Sequence, residues 1–117
     1  MNYIREINAF YDWLESNPTP SDAIALWHAL LSICNKAGWP SEFTVANITL
    51  QAKAGLSRTK LFRYREYLVN AGLIRYQNSE RVNEAGKYSI VSFYETQNET
   101  QNETQNRTQN ETQNETQ

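Results

Sequence analysis

The stretch Leu50–Tyr76, LQAKAGLSRTKLFRYREYLVNAGLIRY, holds two helical segments around one glycine, and then a change of period. Gly55 suits a tight turn, and Ser57 suits the N-cap of a helix over 57–71 that stops at Gly72. Leu61, Tyr64, Arg65 and Leu68 fall on one face of that helix by their spacing of three and four. That face is expected in the core, with Arg65 laying its aliphatic stem along the core edge and keeping its head in water. The other side of the first two turns shows Arg58, Thr59, Lys60, Phe62 and Arg63, with Tyr67 further along. From Leu73 the pattern alternates as a strand does.

Reading outward, Ile4, Ile7, Phe10, Tyr11 and Leu14 form one apolar stripe on a helix over 3–16. Asn17-Pro-Thr-Pro-Ser is a stop and restart, with Ser21 or Thr19 as the next cap. The helix from there to about Lys36 carries Ile24, Leu26, Trp27, Leu30, Leu31, Ile33 and Cys34, so it is expected to be central and buried on several sides. Gly38 and Pro40 end it. Residues 42–45 read as a small strand or an extended lead-in, and Asn47 or Thr49 as the cap of a short helix through Ala54. Residues 73–77 and 87–93 alternate as two strands, joined by a polar loop that contains a glycine. A short helix, a glycine turn and a longer helix make a helix-turn-helix, and the hairpin after it makes a wing. The expected fold is mostly α with a small β-hairpin. It is a winged helix-turn-helix with an extra N-terminal helix, in one domain over 1–94.

Residues 95–117 are five ETQN-type units and a clipped sixth. They contain no apolar residue, so they cannot offset the entropy of ordering, and a disordered linker is expected. The near-identity of the units raises a second idea, that the repeat acts as DNA and is bound by its own product. Charge is divided along the chain. Residues 51–76 carry six Lys and Arg against Glu66, while the whole chain has a net charge of −2. Such a local basic cluster speaks to partners more than the global balance does.

Other functional classes find little support. One His and one Cys, with no phosphate-cradling glycine pattern, argue against an enzyme, a metal centre or a bound cofactor. His28 is read as a packed, hydrogen-bonded histidine and Cys34 as a small core residue. A lone cysteine, the absence of a secretory signal and the absence of a membrane-length apolar run lead us to expect a soluble protein of the cytoplasm with no membrane partner.

The basic face has the chemistry of a recognition helix. Arg and Lys pair with guanine edges, and Thr or an aromatic ring meets a thymine methyl. Ser57 and the helix N-terminus suit a phosphate, while Lys53, Arg81 and Lys87 could reach the flanking backbone. The plain alternatives are a solvated face, and for Phe62 partial burial against the wing. Tyr3, Ile7, Tyr11 and Trp13 on the first helix are candidates for an oligomer interface.

The segments NYIREINAFYDWLESNPTPSDAIALWHALLSICNKAGWPSEFTV, residues 2–45, and GLSRTKLFRYREYLVNAGLI, residues 55–74, resemble the N-terminal winged-helix domain of phage replisome organisers, relatives of the bacterial DnaD initiation proteins. The resemblance implies binding of double-stranded DNA at a replication origin in the bacterial host cytoplasm. It also implies self-association as a dimer or higher oligomer, and recruitment of a helicase loader or helicase. What carries over residue by residue is Ser57 through Arg63. The alternatives are an oligomerising scaffold with little DNA binding of its own, and a winged-helix transcriptional regulator.

Overall fold

A computed structural model describes residues 1–79 and 85–94. Four helices and three strands follow in the order α1 (Tyr3–Ser16), α2 (Ser21–Lys36), β1 (Phe43–Val45), α3 (Asn47–Ala54), α4 (Arg58–Asn70), β2 (Ile74–Gln77) and β3 (Gly86–Ile90). This is a mostly helical winged-helix fold with an added N-terminal helix. Arg81 and the repeat over 95–117 lie outside the described residues.

The core forms where α2 meets its neighbours. Leu26, Trp27, Leu30, Leu31 and Cys34 of α2 are buried, as are Leu50 of α3, Leu61 and Leu68 of α4, and Ile74 and Tyr88 of the sheet. Burying a side chain of this size stabilises by about 1.5–3 kcal/mol before entropy is counted. The apolar girth of α2 is thus matched by packing against α3, α4 and β3.

The helix α1 is rotated from the expected stripe. Its buried line is Glu6 and Phe10, flanked by part-buried Tyr3, Ile7, Trp13 and Leu14, while Ile4 is 63% exposed and Tyr11 50% exposed. Two contacts set the rotation. Phe10 stacks on Trp27 with ring centroids 3.9 Å apart. Glu6, only 2% exposed, accepts hydrogen bonds from the Ser92 hydroxyl at 2.6 Å and the Phe93 backbone N–H at 3.1 Å. A spacing rule that counts only apolar residues misses a buried carboxylate whose partners lie at the other end of the fold.

Two helix starts also differ from expectation. Pro20 is the N-cap of α2 and makes no side-chain bond, and the Thr19 hydroxyl donates instead to the Asn17 carbonyl at 2.8 Å. Ala46 precedes α3, also without a side-chain cap, and the Asn47 side chain is turned elsewhere. The ends of the loops are as the glycines require: Gly38, Gly55 and Gly72 all have positive φ.

The sheet is larger than a hairpin. Its order is β1-β3-β2, antiparallel throughout, with Phe43 opposite Tyr88 and Tyr76 opposite Tyr88 on the other side. The lead-in strand therefore closes the wing from its outer edge. The last strand ends at Ile90 rather than at Phe93, because Ser92 and Phe93 turn in to the Glu6 carboxylate.

Candidate nucleic-acid interface

The turn between α3 and α4 positions the basic face. Gly55 at φ 71° accommodates a left-handed backbone, and the N–H groups of Gly55 and Leu56 both donate to the Gln51 carbonyl, at 2.9 and 3.0 Å. Leu56 is buried beneath the turn. Ser57 caps α4 by accepting the Lys60 backbone N–H at 3.2 Å. Leu61 and Leu68 then anchor the helix, with Tyr64 packed at the edge of the core.

Arg58, Thr59, Lys60, Phe62 and Arg63 are all exposed, yet they do not point one way. At 3.6 residues per turn they fan over more than half of the helix circumference. Arg58 and Phe62 turn toward the sheet, with Arg58 Cζ 5.2 Å from the Phe62 ring. Thr59 and Arg63 point outward. Lys60 turns to α2, where its Nζ lies 3.6 Å from Asp22 Oδ2, the one ion pair among the described residues. Tyr67, expected on the free side, instead packs on the core and donates its hydroxyl to the Pro18 carbonyl at 3.2 Å.

The first turn of α4 contains no acidic residue. The positive end of a helix dipole disfavours cations and favours anions. Arg58 and Lys60 stacked at that end therefore make a region of positive potential that an anion relieves.

The remaining candidates are spread out. Lys53 lines a separate surface hollow beside Tyr3, His28 and Ser32. Lys87 is exposed on the sheet face turned away from α4, in a hollow with Arg75, Glu42 and Gln77. Of the four α1 interface candidates, Tyr3, Ile7 and Trp13 pack on the chain's own core, and Tyr11 alone is exposed, its hydroxyl 3.3 Å from His28 Nε2.

Arg65 departs furthest from expectation. Its head is not in water: the residue is 8% exposed. Nη1 donates to Asn47 Oδ1 at 3.1 Å and to the Tyr88 hydroxyl oxygen at 2.9 Å. The guanidinium carbon lies 4.1 Å from the Tyr76 ring centroid and 4.8 Å from that of Phe62. Burial pushes the Tyr88 phenol up from its ordinary value, against the opposing pull of Arg65. Tyr88 is thus a neutral partner at neutral pH. The signal in the sequence was the arginine between leucines on a core face, which marks either a snorkelling stem or a buried, partnered head.

Between α4 and the sheet runs an open groove of about 680 Å³, lined by Asn47, Arg58, Phe62, Arg65, Glu66 and Tyr76 among others. The described residues contain no cluster of three His, Cys, Asp or Glu fit to hold a metal, and no helix long and apolar enough to cross a membrane.

Neither a protein-family model nor a curated protein sequence matches the chain. Among solved structures it is similar to NMB1585, a MarR family regulator from Neisseria meningitidis. The identity is 15% and the TM-score 0.45, over 91% of this chain and 77% of that one.

Proposed function

We propose that this chain binds duplex DNA, with α4 as the recognition helix and the sheet as its flanking support. The observation that carries the reading is the head of α4. Arg58, Thr59 and Arg63 are exposed there, and neither arginine has an ion-pair partner among the described residues. N-terminal side chains of a recognition helix are the ones that reach base edges in the major groove. Lys60 is partly engaged by Asp22, so its role is secondary to that of the two arginines.

The resemblance of residues 1–94 to phage replisome organisers supports a replication origin as the site, with a helicase loader as the downstream partner. A promoter, and hence a regulator, is the competing assignment for the same fold. Binding of the full chain to fragments of its own genome in a salt series tests both. Arg63→Ala is expected to weaken specific binding by about 1–3 kcal/mol and to relax discrimination at one position. Arg58→Ala, which removes a side chain turned toward the sheet, is expected to weaken binding to all sequences. Unchanged affinity in both variants refutes the interface. Preferred fragments from a replication region support the origin reading, and fragments upstream of genes support the regulator.

A second reading has an observation of its own. Ile4 and Tyr11 lie two turns apart on one flank of α1, beside its buried line, and both are exposed. That apolar line supports self-association through α1. Tyr11→Ser combined with Ile4→Ser is expected to lower the sedimenting mass while leaving the core intact. An unchanged mass removes α1 as the interface.

A further inference from the structure

Among the described residues Arg65 is a mostly buried cation with no acid within ion-pair distance. Both of its hydrogen bonds leave from Nη1 and end on neutral oxygens, Asn47 Oδ1 and the Tyr88 hydroxyl. Among the described residues Nε and Nη2 have no acceptor, and the one ion pair is elsewhere. Neither nitrogen is sealed from solvent, so this edge opens on the groove, while holding a guanidinium largely out of water without a counter-charge is costly. The fold nevertheless secures it from four elements: Asn47 begins α3, Phe62 lies on α4, and Tyr76 and Tyr88 lie on β2 and β3. Such a residue is preorganised for a ligand that brings the missing charge. The edge of a guanidinium offers parallel N–H groups that match two oxygens of one phosphate.

The surroundings favour a strand over a free ion. Arg65 lines an open trough rather than a closed pocket, and exposed Arg58 at the head of α4 lines the same trough. Glu66 also lines it and opposes anions, which confines the favourable part to the two arginines.

We infer that the groove between α4 and the β2–β3 sheet seats one backbone phosphate of the bound DNA. Arg65 supplies the hydrogen-bonding edge and Arg58 the second charge. The inference rests on the DNA-binding reading. It adds that Arg65 contributes affinity without sequence preference, while Arg63 and Thr59 face the bases.

The test uses the full chain and two probes. The first is inorganic phosphate, followed through the Nε–Hε resonances of the arginines. The second is a set of duplexes in which single phosphates are replaced by neutral methylphosphonates. Wild type is expected to show a saturable shift at Arg65, and to lose affinity at one methylphosphonate position. Arg65→Gln is expected to bind all duplexes about tenfold more weakly, with a salt slope lower by about one, and to become indifferent to that position. Because Arg65 is buried, Arg65→Lys is measured beside it. It keeps the charge and the salt slope, and is expected to keep only part of the sensitivity to that position, because an ammonium lacks the two parallel N–H groups. If wild type binds duplexes but no position is silenced in either variant, and phosphate leaves Arg65 unmoved, the seat is refuted and the DNA reading stands. If neither variant folds, an unmoved Arg65 resonance in wild type and equal affinity at every methylphosphonate position refute the seat by themselves. If wild type binds no duplex while phosphate still shifts Arg65, the groove takes a free anion, and the strand is overturned together with the DNA reading.

Discussion

At the scale of single residues, titration and packing are coupled around His28. Its ring lies edge-on to Trp27 and to Phe10, and its Nε2 is 3.3 Å from the Tyr11 hydroxyl. Burial holds its pKa below the ordinary 6.5. Above 6.5 both folded and unfolded chains carry a neutral imidazole, so His28 adds no pH dependence there. As pH falls below 6.5 the unfolded chain takes up the proton first, and stability is lost until the folded pKa is passed. Thermal melts between pH 7 and pH 5 are expected to show this loss in wild type and to flatten in His28→Gln. An equal slope in the variant would place the acid sensitivity elsewhere. Phe10 sits beside this group and is fully buried against Trp27. Phe10→Ala is expected to destabilise by about 3–5 kcal/mol in urea titrations, through lost transfer energy and the cavity left behind.

At the scale of elements, the helix-turn-helix depends on two backbone positions. Gly55 has open space where a Cβ would go, so only its φ of +71° penalises Ala there. Gly55→Ala is expected to cost about 1–2 kcal/mol, and Ser57→Ala about 1 kcal/mol through the lost cap. Denaturant midpoints measure both, and a neutral Gly55→Ala would mean that the turn relaxes. These positions were legible in sequence because glycine and serine act locally. The same is true of the extents of α1, α2 and α4, which follow from periodicity and stop signals. What local pattern could not supply was every contact between distant segments. The pairing of β1 with β3, the clamp of Glu6 on Ser92 and Phe93, and the Arg65–Asn47–Tyr88 network join residues 18 to 87 positions apart. The basic face was legible as composition. Its division into a sheet side, an outward side and an Asp22 side depends on what packs around α4.

At the scale of the whole molecule, the Glu6 clamp ties the first turn of α1 to the last described turn of the chain. Arg5 adds to it, its guanidinium carbon 3.8 Å from the Tyr94 ring centroid. Glu6→Ala removes the carboxylate that the Ser92 hydroxyl and the Phe93 N–H both meet, and is expected to destabilise by roughly 1–3 kcal/mol. Amide hydrogen exchange should show Phe93 losing protection first, and loss at α4 instead would contradict a local clamp. The clamp also decides how cargo is carried. Residue 2 and residue 94 leave the body at one corner, so tags, linkers or further domains joined at either end are tethered side by side. A short peptide bridging those two ends, with new ends opened in a surface loop, should yield a circularly permuted protein that still folds.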